Sequence, residues 1–346
     1  MTEERENAVR RILFMRFSAM GDVAMTLPVI YSFAQQFPQI KVFVATQLPF
    51  DQMFINLPDN VEVIPVNVKS EYKGFWGILK LAKRLSRLRL DYVFDMHNVL
   101  RTWLVCLYFR GIGIKVFMTS KHRILRKKIT TQSAQSISMI DSHVKALNNA
   151  GFSFRLCFES IIKDYSLKER QSMFPKSAIG IAPFARYKNK AYPMAKIENV
   201  ISSLANEGFY VCLFGGRKEA TMLGEIAQKY SNVISVAGRK SLQEELEMMA
   251  KLDVMVTMDS ANHHLASLVN TRAISIWGST TPACGFMAYN QSPADAVILG
   301  IECQPCTIAG SNKCRRKDFA CLNELPETRI VNRIKQIIKE HEQDIK

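Results

Sequence analysis

Several features that define common protein classes are missing from this 346-residue sequence. No apolar run approaches the roughly 20 residues that a helix needs to cross a bilayer. The amino terminus, MTEERENAVRR, is charged and has no apolar signal-peptide core. The first predicted turn, FSAMGD, holds one glycine instead of the Gly-x-Gly-x-x-Gly of a Rossmann dehydrogenase. We therefore expect a cytoplasmic protein that is not a dinucleotide-dependent dehydrogenase.

Acidic residues are scarce in part of the first half. None lies between Asp95 and Asp141, and the whole chain has a formal net charge of +15. Such a field attracts anionic partners, namely nucleotides, phosphosugars, lipid headgroups or nucleic acid, although a solvated basic loop is the simpler alternative. No recognition-helix, RRM or KH signature is present, so we expect no specific nucleic-acid partner. The basic residues of the interval are Arg101, Arg110, Lys115, Lys121, Arg123, Arg126, Lys127 and Lys128.

Strand-like and helix-like segments alternate along the chain, which predicts parallel, doubly wound sheets. In the first half, strands are predicted at 12–17, 41–45, 61–66 and 91–97, with helices at 23–37 and 75–88. A polar stretch at 165–176 predicts a linker. In the second half, strands are predicted at 178–184, 210–216, 233–238, 253–259 and 273–278, with helices at 195–208, 242–250 and 262–269. A charged amphipathic helix is predicted at 326–346.

The helix predicted at 75–88 has two interpretations. Its apolar residues fall on one face and its basic residues largely elsewhere. This pattern suits a helix lying on a membrane surface, and it equally suits a helix that packs on its own sheet.

Polar motifs follow four strands of the second half, at the edge where open α/β sheets bind ligands. Asp259 and Ser260 are placed to cap a helix whose free N–H groups suit a diphosphate. We predict a phosphate-binding rim at this edge. Its candidate residues are Arg186, Lys188, Lys190, Gly215, Gly216, Glu219, Asp259, Ser260, Ser279, Thr280 and Thr281.

The first half offers an acid in the corresponding position. Asp22 follows Gly21 directly after the first predicted strand. An acid in a first helical turn is favourable against the helix dipole, so Asp22 is either a helix-start acid or a functional carboxylate at the ligand-binding edge.

Four cysteines cluster in a loop-like stretch near the end, with the spacing C-x2-C-x7-C-x6-C. They are Cys303, Cys306, Cys314 and Cys321. They could hold a structural zinc ion, form disulfides or stay reduced, and a cytosolic location favours metal or free thiol.

Taken together, MRFSAMGDVAMTLPVI, DYVFDMHNVLRTWL, KNKAYP, LFGGRKE, MDSANHHLASLVNTRAISIWGSTTP and the cysteine cluster resemble glycosyltransferase family 9, the heptosyltransferases. The resemblance implies a GT-B fold, in which two Rossmann-like domains face each other across a cleft. It implies an acceptor domain at 1–170, a nucleotide-sugar domain at 171–325 and a final helix, 326–346, that packs back on the first domain. The implied reaction is inverting transfer of heptose from ADP-heptose or a related nucleotide sugar to a lipopolysaccharide core acceptor, at the cytoplasmic face of the inner membrane.

The resemblance also assigns roles to particular residues. Asp22 is expected to be the general base and Lys190 to contact the donor phosphate. Glu219 is expected to recognise the ribose. Asp259, Ser260 and Ala261, followed by His264, are expected to hold the diphosphate. The family usually has glycine where this chain has Ala261, whose methyl group narrows the approach to phosphate.

Two further hypotheses concern the reaction's partners. No Asp-x-Asp pair occurs in the chain, so we expect a metal-independent enzyme in which Lys190, a helix N-terminus and hydroxyl groups stabilise the departing diphosphate. The residues expected to bind the anionic acceptor are His97, Arg101, Lys121, Arg123 and Arg126, although His97 is equally suited to a packing role. A non-catalytic nucleotide-sugar-binding relative and a basic nucleic-acid-binding protein are the alternatives.

Overall fold

The computed structural model describes residues 10–122, 125, 128–130, 137–162, 170 and 172–344. The chain divides into two compact units, one of residues 1–121 and 139–161 and the other of 122–138 and 162–346. No helix within the described ranges is long and apolar enough to cross a membrane. The first unit thus ends at residue 161, nine residues before the predicted boundary at 170.

The amino-terminal unit is a parallel five-stranded sheet with helices on its faces. Its strand order is β3-β2-β1-β4-β5, and every pairing is parallel. The elements are β1 (Arg11–Arg16), α1 (Met20–Ala24), α2 (Leu27–Gln36), β2 (Lys41–Gln47), β3 (Val61–Val66), α3 (Gly74–Ser86), β4 (Tyr92–Asp95), α4 (Leu100–Gly111), β5 (Lys115–Met118) and α5 (Met139–Asn148).

Strand β1 is buried on both faces, as its nearly continuous apolar run predicts. Leu13 and Met15 share a core cluster with α3 and α4. Phe14 points the other way, and its ring centre lies 5.7 Å from that of Phe33 in α2. Two helical layers therefore cover the sheet.

The helix predicted at 23–37 is in fact two helices, α1 and α2. Pro28 lies in the first turn of α2, where its missing N–H costs nothing. In a continuous helix the same ring would clash with the carbonyl of Ala24. The break shortens α1 to five residues, and Asp22 lies within it.

The C-terminal unit is a second parallel sheet, of six strands, ordered β11-β10-β9-β6-β7-β8. Its elements are β6 (Ala178–Ala182), α6 (Met194–Asn206), β7 (Tyr210–Leu213), α7 (Ala220–Ala227), β8 (Val233–Ser235), α8 (Leu242–Ala250), β9 (Val254–Met258), α9 (Ala261–Leu268), β10 (Ala273–Trp277), β11 (Ala296–Ile298), α10 (Ala320–Asn323) and α11 (Glu327–Asp344).

Each sheet has a point where the strand order reverses. In the first unit it lies between β1 and β4, and in the second between β6 and β9. Connections from the two strands at such a point leave on opposite faces, so a crevice opens at the carboxyl edge and receives ligands. Asp22 follows β1, while Asp259 follows β9. Both acids therefore belong to the crevice of their own sheet.

The final helix, α11, packs on the C-terminal unit. Ile330, Ile334 and Ile337 are fully buried in the core cluster of that unit, and the helix contacts α6, β9 and β10. The further packing of this helix on the amino-terminal domain stays a prediction from the family resemblance. Its apolar stripe faces the sheet of the unit in which it lies.

A buried acid joins α11 to the sheet. Asp295 has no exposed surface and lies 2.8 Å from Arg272 Nε and 2.6 Å from Arg333 Nη2 of α11. Arg272 also pairs with Glu340 of α11 at 2.5 Å. Asp295 is fully buried and both of its arginines are largely covered, so loss of this acid would leave the two cations poorly compensated.

We therefore predict that Asp295→Ala lowers the free energy of unfolding by about 3 kcal/mol, because it breaks a buried ion pair without replacing it. Urea unfolding measures the change. Glu198→Ala is the control, since its pair with Lys229 is exposed and should contribute little. Equal stability of the two variants would contradict the anchoring role of Asp295.

Candidate functional site

A buried ion pair lies at the carboxyl edge of the C-terminal sheet. Lys190, in a short turn after β6, places its Nζ 2.6 Å from Asp259 Oδ2. The Thr280 hydroxyl donates to the same oxygen at 2.5 Å. The exposed fractions of the Lys190 and Asp259 side chains are 13% and 5%. The structure thus brings together three predicted rim residues that follow three neighbouring strands, β6, β9 and β10.

Two buried hydroxyl groups next to this ion pair in sequence lack a hydrogen-bond partner within the described ranges. Ser260 is the N-cap of α9, but its side chain makes no capping bond. Among the residues that the structure describes, Ser260 Oγ and Thr281 Oγ1 have no hydrogen-bond partner and are shielded from solvent. Such groups cost free energy unless a ligand satisfies them. With the open N–H groups of the helix start, they suit an anionic ligand.

The loop that contains the cysteines packs against Lys190 and its neighbour Asn189. Asn189 is 1% exposed, and its side-chain oxygen accepts the Ser311 N–H at 2.8 Å. Its backbone oxygen accepts the Ser279 N–H at 2.9 Å. At Gly310, whose φ is +91°, an added Cβ would lie 2.5 Å from Lys190 Cδ. The loop therefore confines the lysine stem and directs its ammonium toward Asp259.

Other predicted donor residues lie at the same sheet edge outside this cluster. Arg186 is exposed, with its guanidinium 5.4 Å from the Tyr187 ring centre, and Lys188 is exposed as well. A Cβ added at Gly216 would lie 2.9 Å from Glu219 Oε2, so this carboxylate lies beside the Gly215–Gly216 turn.

Within α9, the two residues that the resemblance singled out differ in burial. Ala261, its first residue, is only partly buried. His264 is buried, and its ring centre lies 5.6 Å from that of His263. Burial lowers the pKa of His263 to about 3, and His264 and Lys190 act in the same direction. His263 is therefore a neutral group next to the helix start.

In the amino-terminal unit, Asp22 contacts the start of its own helix and a buried arginine. Its Oδ2 accepts the Ala19 N–H at 3.1 Å and lies 2.9 Å from Nη2 of Arg16. The interpretation of Asp22 as a helix-start acid is thus correct in part. The Arg16 side chain is only 7% exposed, and its Nε donates to the Ser18 carbonyl at 2.9 Å. A buried cation therefore fixes the position of the carboxylate.

His97 follows β4, the neighbour of β1, and adjoins this pair. Asp95 accepts the His97 N–H at 2.9 Å, and His97 Nε2 lies 3.4 Å from Ser18 Oγ. Within the described part of the chain, His97 Nδ1 is buried and has no partner. Burial, with the positive charges of Arg16 and Lys121, lowers the pKa of His97 to about 3. The imidazole is therefore neutral at physiological pH.

The predicted acceptor residues are only partly described. The positive charges of Arg101 and Lys121 both lower the pKa of His97. Arg123 and Arg126 lie outside the described residues.

Arg16 was not among the predicted site residues. It is a charged residue at the end of an otherwise apolar strand, and that position was a signal for a functional role.

The four clustered cysteines are free thiols. The charges of Cys303, Cys306 and Cys314 each act on the pKa of Cys321, which burial and these neighbours raise to about 12. No group of three or more His, Cys, Asp or Glu side chains in the described ranges is arranged to hold a metal ion.

A family model and the curated relatives that match this chain are all described as heptosyltransferases. The family model described as glycosyltransferase family 9 (heptosyltransferase) matches residues 78–314. Lipopolysaccharide heptosyltransferase 3 of Escherichia coli is 26% identical over 77% of this chain and 82% of its own length. Lipooligosaccharide heptosyltransferase 2 of Campylobacter jejuni is 22% identical over 92% of this chain and 96% of its own.

A solved structure shows the same fold. The Escherichia coli ADP-heptose LPS heptosyltransferase II aligns with a TM-score of 0.71 at 17% identity, over 96% of this chain and 99% of its own. Identity at this level establishes the fold alone. Together with the family match, it confirms the predicted GT-B class with two Rossmann-like domains.

We predict that His97 contributes to acid sensitivity. A histidine with a pKa of about 3 when folded and near 6.5 when unfolded binds a proton preferentially in the unfolded chain. Its cost to stability appears as the pH falls below about 6.5 and reaches about 2 kcal/mol near pH 5. In thermal melts, His97→Gln should therefore lose less stability between pH 7 and pH 5 than the wild type. An equal loss would contradict the buried, neutral imidazole.

Proposed function

This chain belongs to glycosyltransferase family 9, and we propose that it moves a heptose from ADP-heptose to a lipopolysaccharide or lipooligosaccharide core. The relatives that it matches are named as heptosyltransferases of these two glycolipids. The fold neighbour's name specifies ADP-heptose. One observation supports the donor site above all. The residues Ser260 and Thr281 directly follow Asp259 and Thr280 in sequence, and their buried hydroxyl groups have no hydrogen-bond partner among the described residues.

In this proposal the donor diphosphate binds at the start of α9. The open N–H groups of the helix and the Ser260 and Thr281 hydroxyls donate to phosphate oxygens, while Lys190 supplies the positive charge. Asp259 is oriented by Thr280 and holds the lysine in place before the donor arrives. Asp259 is then a positioning residue and not itself a phosphate ligand, which refines the role that the resemblance gave it.

The bond changes follow from inverting substitution. An acceptor hydroxyl attacks the anomeric carbon, the bond from that carbon to the diphosphate oxygen breaks, and ADP departs with the bonding electrons. Asp22 accepts the proton of the attacking hydroxyl. Lys190 and the α9 N-terminus stabilise the negative charge that grows on the diphosphate. These residues together supply acid–base and electrostatic catalysis without a metal ion, as the lack of an Asp-x-Asp pair predicts.

We assign the remaining candidate residues to parts of the donor and the acceptor that lie away from the reacting atoms, or to the positioning of Asp22. Glu219, beside the Gly215–Gly216 turn, recognises the ribose. Arg101 and Lys121, whose charges act on His97, bind anionic groups of the acceptor. Arg16 positions Asp22. Because the acceptor is a lipid-linked glycan, the enzyme works in peripheral contact with the cytoplasmic face of the inner membrane.

A structural zinc ion at the four cysteines stays a prediction from their spacing. Elemental analysis of the purified chain tests it directly. One zinc per chain that is lost in a Cys303→Ser, Cys306→Ser variant would support the prediction, and a metal-free wild type would exclude it.

We predict that Asp22→Asn lowers kcat by about 100-fold to 10,000-fold, since it removes a general base. Donor affinity should stay unchanged, because Asp22 lies in the amino-terminal unit and not among the proposed donor contacts. Transfer to a truncated core acceptor measures kcat, and titration calorimetry with ADP measures the affinity. Asp59→Asn is the matched control, as Asp59 is exposed and distant in sequence from the proposed site. Near-normal turnover of Asp22→Asn would remove Asp22 from the mechanism.

We predict that Lys190→Ala weakens ADP binding by about tenfold to 100-fold, the usual worth of a hydrogen bond to a charged group. Calorimetric titration with ADP, GDP and UDP measures this loss and tests the nucleotide preference. Lys229→Ala is the control, since its partner is the exposed Glu198. If Lys190→Ala binds ADP as tightly as the wild type while remaining folded, the diphosphate site is misplaced.

A further inference from the structure

Large apolar side chains are exposed mainly in one part of the chain. Of the ten that are exposed within the described ranges, six fall between residues 75 and 112. They are Phe75, Trp76, Leu100, Trp103, Leu107 and Ile112. Trp76 is the most exposed of all, at 79%. Soluble proteins rarely gather large exposed apolar residues without a partner for them.

Five of these side chains belong to two adjacent helices, and Ile112 directly follows the second. Helices α3 and α4 share one core cluster under the same face of the sheet, and Ser86 Oγ of α3 lies 3.4 Å from Tyr108 Oη of α4. On α4, Leu100, Trp103 and Leu107 are spaced by three and four residues, so they form one outward stripe. On α3, Phe75 and Trp76 stand together in the first turn, with ring centres 5.4 Å apart.

Packing on the sheet does not explain this stripe. The sequence pattern of α3 suited either a membrane-surface helix or a helix packed on its sheet, and its apolar face is indeed buried through Ile78, Leu81 and Leu85. Trp76 lies outside that face, and Phe75, although on its side of the helix, is 53% exposed in the first turn. On α4, Val105, Cys106 and Phe109 supply the buried contacts, and the stripe of Leu100, Trp103 and Leu107 faces away from them.

Positive charge surrounds the exposed aromatic residues. Lys80, Lys83 and Arg87 follow Trp76 at helical spacing and are exposed. Residues 71–121 contain ten Lys and Arg against three acids. Of these acids, Asp95 is buried and Glu71 lies 3.5 Å from Lys80. The surface is therefore aromatic and cationic at once.

We propose that the outward faces of α3 and α4 dock on a bilayer that carries anionic headgroups. We name this the α3–α4 surface, formed by Phe75, Trp76, Leu100, Trp103 and Leu107 with Lys80, Lys83 and Arg87. Tryptophan rings prefer the boundary between headgroups and acyl chains, and each nearby basic residue gains roughly 1 kcal/mol from anionic lipid. The inference deepens the proposed function, because a lipid-linked acceptor would be met at that bilayer.

The helix direction relates this surface to the candidate site of its own unit. Helices α3 and α4 run opposite to the parallel strands that they connect, so their first turns lie at the carboxyl edge of the sheet. Asp22 and His97 follow strands at that edge. Trp76 and Leu100 lie in those first turns. A docked bilayer would therefore lie beside the edge that we assign to the acceptor.

Vesicle flotation tests the proposal without donor or acceptor. The full chain should float with phosphatidylcholine vesicles that contain phosphatidylglycerol, and binding to pure phosphatidylcholine should be much weaker. The double variant Trp76→Ser, Leu107→Ser should bind the anionic vesicles about tenfold less tightly, since two apolar side chains no longer enter the interface. Met222→Ser, at an exposed methionine of the other unit, is the matched control and should float like the wild type.

A charge-reversal variant tests the electrostatic contribution to vesicle binding. Lys80→Glu, Arg87→Glu should abolish the preference for phosphatidylglycerol, and added salt should weaken wild-type binding. Unchanged melting temperatures show that these exposed substitutions leave the fold intact. The proposal is overturned if the wild type fails to float, or if both variants float as it does. It is equally overturned if sedimentation shows instead that Trp76→Ser, Leu107→Ser breaks up an oligomer of the chain.

An activity comparison separates this inference from the proposed function. The Trp76→Ser, Leu107→Ser variant should match the wild type on a water-soluble, deacylated acceptor and turn over more slowly on an acceptor embedded in anionic vesicles. Equal rates on the embedded acceptor would contradict the docking surface. If neither protein transfers heptose to any acceptor while flotation behaves as expected, the proposed function fails and the docking surface stands.

Discussion

The pairing of Lys190 with Asp259 is the constraint on which the C-terminal unit's site depends. A lysine without a partner at this depth would lose hydration with no compensation, and an acid alone would repel an anionic ligand. Held 2.6 Å apart, the two groups nearly cancel and keep the ammonium at the sheet edge. The buried Asn189 and the tight approach of Gly310 then restrict how far the lysine can move.

The amino-terminal unit applies the same principle with the signs exchanged. There the acid, Asp22, is the group presented at the sheet edge, and the buried cation, Arg16, holds it. His97 remains neutral beside them because burial and the nearby positive charges oppose a second proton. In both units a charge needed at the edge is positioned by a less exposed partner of opposite sign, and both lie where the strand order reverses.

Much of the fold follows from local sequence patterns. The buried strands were predicted within a few residues, and the helix at 242–250 was predicted at the bounds that the structure gives it. The edge strands β5 and β11 were missed, because most of their residues are only partly buried and the strands therefore lack the strong apolar pattern of the central strands. The candidate site was likewise predictable only in part. Its rim could be predicted from motifs after strands, whereas the pairing of Asp259 with Lys190 depends on side chains that are 69 positions apart in sequence.

The exposed aromatic residues mark a further limit of sequence patterns, since a tryptophan within an amphipathic helix is indistinguishable from a core residue until its burial is known. The central claim, however, concerns the donor site, and a crystal structure of the chain with ADP tests it most directly. Our account predicts the diphosphate at the start of α9, within hydrogen-bond distance of Lys190 Nζ and Ser260 Oγ. A nucleotide bound with its diphosphate away from both groups would contradict it.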